Sequence, residues 1–188
     1  MTVTESSTLA ENESDLYHQQ LARFVGGESP LIESVDAVCP QMIRHWVEVM
    51  QDTNPAYTDP DWAATSRHGG TVAPPSMMQS WTLSPLWPPQ EAAALPIAPL
   101  DEVLAEHGFT EVVATNQSQQ VVRLARPGDV VSYSVRLTNV TETPKKTRLG
   151  LAYFVTMEYR FVNQTGDLLG TQSFTYMRYQ PVQEESNQ

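Results

Sequence analysis

The chain has 188 residues and a net charge of −11, and 40% of its residues are hydrophobic. This length and composition predict one globular domain, and the acidic balance argues against binding to nucleic acid phosphates. Cys39 is the only cysteine, which excludes an intramolecular disulfide and a thiolate metal cluster. No apolar run reaches the roughly 18 residues of a membrane span, and residues 1–20 lack a secretory signal pattern, so we expect a cytoplasmic protein.

The two ends of the chain differ in composition from the rest. Residues 1–15 are polar and acidic, and we expect them to be disordered because they carry too few apolar side chains to join a core. Residues 182–188 are equally polar and are expected to form a flexible tail. The folded domain is therefore predicted at residues 16–181.

Helical patterns occupy the first half of the chain. In the clearest of them, Ile43, Trp46, Val47 and Met50 recur at the spacing of one helix face. Asn54-Pro55 ends this pattern, because the residue before a proline resists the helical conformation. Helices are predicted at Leu16–Phe24, at Cys39–Gln51, at Asp59–Thr65, and as a buried helix that begins at Pro75.

The helix that begins at Pro75 is expected to be short. Five prolines follow within 25 residues, and a proline inside a helix costs about 3 kcal/mol or more. The helix should therefore end near Leu83 or Ser84, and Leu86–Leu100 should form an irregular loop that carries Trp87. The prolines concerned are Pro85, Pro88, Pro89, Pro96 and Pro99.

From Thr110 onward the pattern changes to that of strands. Four segments alternate or run apolar, are enriched in β-branched and aromatic residues, and are separated by turn residues such as Pro127-Gly128. Helices followed by a run of long strands indicate an α+β domain with an antiparallel sheet. The predicted strands are Glu111–Leu124, Asp129–Thr141, Thr147–Asn163 and Leu168–Tyr179.

One stretch of the chain carries a pattern that points to chemistry. It reads Asp52-x-Asn54-Pro55-x-Tyr57 after the main helix, and about ten residues later Arg67-His68-Gly69-Gly70 leads into the helix at Pro75. Taken by themselves, Asp52 and Asn54 are ordinary turn formers, since their side chains hydrogen-bond to the nearby backbone.

The stretch resembles the hydratase motif of the MaoC-like, R-specific enoyl-CoA hydratase family, which reads Asp-x-Asn-Pro-aliphatic-His and then Arg-Phe-Gly-Gly. The resemblance implies a hot dog fold, in which a curved antiparallel sheet wraps around a central helix. In that family the Asp and the His five residues later activate the water that adds across an enoyl thioester. Asp52 and Asn54 match the motif, and the substrate would be a CoA thioester with no separate cofactor or metal.

Tyr57 departs from the family pattern because it stands where the catalytic His is expected. A phenol with a pKa near 10 is a poor base at neutral pH, so the Asp/His dyad is broken. The stretch is most similar to the N-terminal MaoC-like domain of the larger subunit of heteromeric steroid side-chain enoyl-CoA hydratases. This implies a non-catalytic subunit that shapes the substrate channel beside a smaller MaoC-like subunit with an intact dyad, in a heterotetramer.

Two other functions stay open at this stage. The chain could be a self-sufficient homodimeric hydratase or dehydratase that uses Asp52 with another group such as His68, or an acyl-CoA-binding protein without turnover. Two groups of basic residues are candidate contacts for the CoA phosphates: Arg67, and the cluster Lys145-Lys146-Arg148. The alternative interpretation of the cluster is that it is only the solvated tip of a hairpin.

A shortened helix at Pro75 would leave open volume beside the sheet. A broad channel for bulky acyl groups is expected there, unless the following loop folds back and fills the space. The candidate substrate-binding residues are Arg67, His68, Gly69, Gly70, Met77, Met78, Trp81 and Trp87.

Overall fold

The structure is a computed structural model that describes residues 17–87 and 95–182. The predicted disordered start lies outside the described residues, and so does the predicted tail except for Val182. Within the two described ranges, no helix is long and apolar enough to cross a membrane.

Prolines stand in the first turn of most of the helical elements. A proline in the first turn sacrifices no hydrogen bond, because the amide that it lacks would have no partner there. The predicted helix Cys39–Gln51 is confirmed as Pro40–Met50, and Asp59–Thr65 is confirmed as Pro60–Thr65. The helical elements are α1 (residues 17–22), α2 (Pro40–Met50), α3 (Pro55–Thr58), α4 (Pro60–Thr65), a 3-10 helix (Pro75–Thr82) and α5 (Ala98–Glu106).

The second half of the chain forms an antiparallel sheet, as predicted. The four predicted strands are present with their ends moved by three residues or fewer, and two short strands join them. The order across the sheet is β1-β3-β5-β6-β2, and β4 pairs with β5. The strands are β1 (Ile32–Glu33), β2 (Glu111–Val121), β3 (Ser132–Val140), β4 (Lys145–Thr147), β5 (Gly150–Val162) and β6 (Leu168–Pro181).

The helices cover one face of this sheet with two hydrophobic clusters. Tyr153, Val155 and Met157 of β5 belong to the first cluster, and Phe161 belongs to the second. These odd-numbered side chains point to the same face, since a strand alternates its side chains. α5 packs on the first cluster through Leu100 and Leu104, and the second cluster holds the 3-10 helix and α2. The two clusters therefore lie side by side along the sheet.

The connection between the 3-10 helix and the sheet corrects one prediction. The 3-10 helix ends at Thr82, so its predicted early end is confirmed. The predicted loop over Leu86–Leu100 is wrong at its end, because α5 begins at Ala98 with Pro99 in its first turn. The prediction counted Pro99 as a helix breaker, whereas a proline in the first turn is tolerated. The intervening residues 88–94 lie outside the described residues.

Candidate functional site

The residues of the motif lie between α2 and α3. Asp52 is exposed, and its Oδ1 accepts a hydrogen bond from the backbone N–H of Asn54 at 3.0 Å. Asn54 in turn accepts from the N–H of Ala56 at 3.0 Å and caps α3. Both side chains therefore perform the local turn-forming role that their residue types favour.

Tyr57 follows on α3 and is half-buried. Burial raises the pKa of its phenol, the negative charge of Asp52 raises it further, and a hydrogen bond with Asn54 offsets part of the change. A phenol with a raised pKa stays protonated at neutral pH, so Tyr57 can donate a hydrogen bond there but cannot remove a proton from water.

The turn that carries Arg67 and His68 requires its two glycines. Gly69 and Gly70 have φ values of 65° and 150°, in the region that side chains with a Cβ atom avoid. The Gly70 N–H donates to the carbonyl of Ala63 at 2.9 Å, which ties the turn to α4. Arg67 donates from Nε to His68 Nε2 at 3.4 Å.

These segments meet at a cavity of about 500 Å³, which we call the motif cavity. Its polar and charged lining consists of Asn54, Tyr57, Arg67, His68, Arg123 and Arg126, and its other lining residues are all apolar. Asp52, Gly69 and Gly70 are not part of the lining. The structure thus brings four of the predicted site residues together and leaves the candidate catalytic carboxylate outside.

Sequence reasoning missed Arg123 and Arg126, which follow β2 and form one wall of the motif cavity. Arg126 Nη2 donates to the carbonyl oxygen of His68, and this contact joins the wall to the turn. The two arginines lie close to turn residues Pro127-Gly128 in the sequence, but no local pattern links that segment to residues 54–68.

Comparison with known proteins identifies the family at this point. The family described as FAS1-like, dehydratase domain region, matches residues 25–172. The chain belongs to this family. The MaoC-like resemblance noted from residues 52–75 is thereby confirmed over most of the chain.

Two curated relatives are similar in sequence to this member of the FAS1-like dehydratase family. A probable enoyl-CoA hydratase alpha subunit from Thermomonospora curvata is 36% identical over 179 residues, which cover 92% of this chain and 54% of that protein. A 3-oxo-4,17-pregnadiene-20-carboxyl-CoA hydratase alpha subunit from Mycobacterium tuberculosis is 39% identical over 132 residues, which cover 70% of this chain and 41% of that protein. The chain spans about half the length of the curated relatives it matches.

Solved structures show the fold of this family member. The ChsH1-ChsH2 complex from Mycobacterium tuberculosis matches with a TM-score of 0.79 and 29% identity, covering 93% of this chain and 95% of that chain. A MaoC-like dehydratase from Rhodospirillum rubrum matches with a TM-score of 0.58 and 20% identity, covering 83% and 92%. The predicted hot dog fold is confirmed.

The remaining candidate residues lie in the core of the family member or at its surface. Met77, Met78 and Trp81 are at most 4% exposed and pack inside the second cluster. Met77 also borders an apolar cavity of about 350 Å³ between α2 and the 3-10 helix. Trp87 is 83% exposed. The broad channel that these four residues were expected to line stays a prediction.

Proposed function

We propose that this chain is the non-catalytic subunit of a heteromeric enoyl-CoA hydratase, where it shapes the channel for a bulky 2-enoyl-CoA such as a steroid side-chain thioester. The observation that carries the proposal is the motif cavity. The cavity lies at the hydratase motif, but the phenol of Tyr57, which is protonated at neutral pH, stands where the family has the His. The carboxylate of Asp52 does not line the cavity. The names of the two curated relatives, both alpha subunits of hydratases, support the hydratase-subunit part of this proposal.

Hydration of an enoyl thioester requires a group that takes a proton from water and a group that delivers one to the α-carbon. It also requires hydrogen-bond donors that polarise the thioester carbonyl. Tyr57 and Arg67 are donors, and His68 lies beside Arg67, but no carboxylate from the described part of the chain lines the motif cavity. A partner subunit with an intact Asp/His dyad would supply the missing base.

The homodimeric alternative fits the geometry less well. It needs Asp52 and His68 to hold one water between them. His68 lines the motif cavity whereas Asp52 does not, and the Asp52 carboxylate is engaged by the N–H of Asn54.

The edge strand β2 is the proposed contact with the partner. One side of β2 pairs with β6 from Glu111 to Val121, and its other side has no strand partner among the described residues. Ten of its eleven residues are exposed, and Glu111 is its only charged residue. An open edge of this length without lysine or proline is a template for pairing with another chain.

Charged residues placed on β2 should therefore block assembly. The double variant Val112→Lys/Gln117→Lys replaces two side chains that are exposed in the isolated chain, so the fold should persist. The two lysines should prevent another strand from pairing with this edge. We expect at least about 10-fold weaker retention of the partner after coexpression, which corresponds to roughly 1.4 kcal/mol. Copurification from a tagged partner measures this effect.

The matched control is Val49→Lys/Gln41→Lys, a valine and a glutamine that are both exposed on α2. This control should retain the partner fully. Equal retention by the two double variants would show that β2 is not the interface.

The substrate part of the proposal is tested on the purified complex. The 3-10 helix ends at Thr82, which is short for a helix that has to cover the sheet, and apolar space remains between this helix and α2. We expect kcat/KM to be higher for a steroid side-chain enoyl-CoA than for crotonyl-CoA. A clear preference for the short linear substrate would exclude a channel for bulky acyl groups.

A further inference from the structure

The motif cavity concentrates positive charge in an acidic protein. The chain has 22 acidic and 11 basic residues, yet among the described residues three arginines and no Asp or Glu line this cavity. A concave site whose charged residues share one sign focuses its field on ligands of the opposite sign. The distribution of charge therefore favours an anionic ligand.

Two of the three guanidinium groups are not neutralised by carboxylates. Neither Arg67 nor Arg126 forms a salt bridge with any described residue, whereas Arg123 Nη2 lies 3.2 Å from Asp129 Oδ1. The Nε atom of Arg123 is shielded from solvent and has no hydrogen-bond acceptor in the described structure. Arg67 and Arg126 each use one donor on His68, but no carboxylate of the described residues neutralises their charge.

The wall that carries two of these arginines is held in place by a buried carboxylate. Asp129 is 7% exposed. It accepts hydrogen bonds from the Arg123 side chain, from the backbone N–H of Arg126 at 2.8 Å, and from Asn163 Nδ2 at 3.4 Å. Because the segment is fixed before any ligand arrives, less conformational freedom is lost on binding. Asp129 is therefore a positioning residue for the wall.

We propose that the motif cavity is a binding site for an organic phosphate, with Arg67 and Arg126 as its main contacts and Arg123 as the third. Guanidinium groups match phosphate oxygens with paired hydrogen bonds. A volume of about 500 Å³ and an apolar remainder of the lining leave room for the organic part of the ligand beside its phosphates. The phosphate site itself does not depend on the proposed function. The source of the phosphates does rest on it: for a subunit of an enoyl-CoA hydratase, they belong to the nucleotide end of CoA.

The test measures binding to the full chain by isothermal titration calorimetry, with CoA, ADP and pantetheine as probes. CoA should bind, pantetheine without nucleotide phosphates should bind at least about 10-fold more weakly, and affinity should fall as salt is added. Arg67→Gln and Arg126→Gln should each weaken CoA binding by about 10-fold or more, since each removes a charged hydrogen-bond donor. Arg160→Gln, at an exposed position on β5 outside the cavity lining, should bind like the unmodified chain.

The possible results of these titrations distinguish failure of the phosphate site from failure of the proposed function. ADP that binds as tightly as CoA supports the site and makes a free nucleotide its source. CoA binding that survives Arg67→Gln and Arg126→Gln, or that is lost instead in Lys145→Gln/Lys146→Gln, overturns the site. Pantetheine that binds as well as CoA also overturns it. A chain that binds CoA through these arginines but never joins a hydratase keeps the site and refutes the proposed function.

Discussion

The purified chain should hydrate 2-enoyl-CoA at least about 100-fold more slowly than its complex with a dyad-bearing subunit, because loss of a general acid–base group commonly costs about 10²–10⁴ in rate. The structural reason is the pair Asp52 and Tyr57. The Asp52 carboxylate lies outside the motif cavity, and the Tyr57 phenol remains protonated at neutral pH. Loss of absorbance of the conjugated thioester measures the rate with and without the partner.

Two variants sharpen this comparison. Asp52→Ala should leave the activity of the complex unchanged within about a factor of two, because removal of a group that does not act on substrate leaves the barrier as it is. Tyr57→His should not restore full activity to the isolated chain, because the nearby Asp52 carboxylate accepts a hydrogen bond from the N–H of Asn54 and does not line the cavity. Robust turnover by the isolated chain that disappears in Asp52→Ala would contradict the proposal and favour the homodimeric enzyme.

Met77→Ala should lower the free energy of unfolding by about 2–5 kcal/mol, the usual cost of removing a fully buried methionine side chain. Met77 is 0% exposed and packs in the second cluster between the 3-10 helix and the sheet. Urea denaturation followed by circular dichroism measures the change.

Met50→Ala is the matched control, because Met50 is 60% exposed at the end of α2. It should change stability by no more than about 0.5 kcal/mol. A cost below about 1 kcal/mol for Met77→Ala would contradict the tight packing of its side chain in the second cluster.

Local patterns predicted most of the secondary structure. The apolar face of α2 and the alternating or apolar, β-branched pattern of the four long strands were sufficient, because such patterns are properties of a single segment. The prediction failed at Ala98, where α5 begins. A proline such as Pro99 can either end a helix or begin one. Here a helix begins, because it buries Leu100 and Leu104 in the first cluster against the sheet.

The sequence alone also determined the family, through Asp52-x-Asn54-Pro55 and the glycine turn at Gly69-Gly70, and it identified Tyr57 as the departure from the family motif. Only the tertiary structure placed Arg123 and Arg126 beside Arg67. The contact between Arg126 and His68 joins residues 58 positions apart. Such a contact leaves no periodic signal in either segment, because it arises when the sheet and the helices pack together.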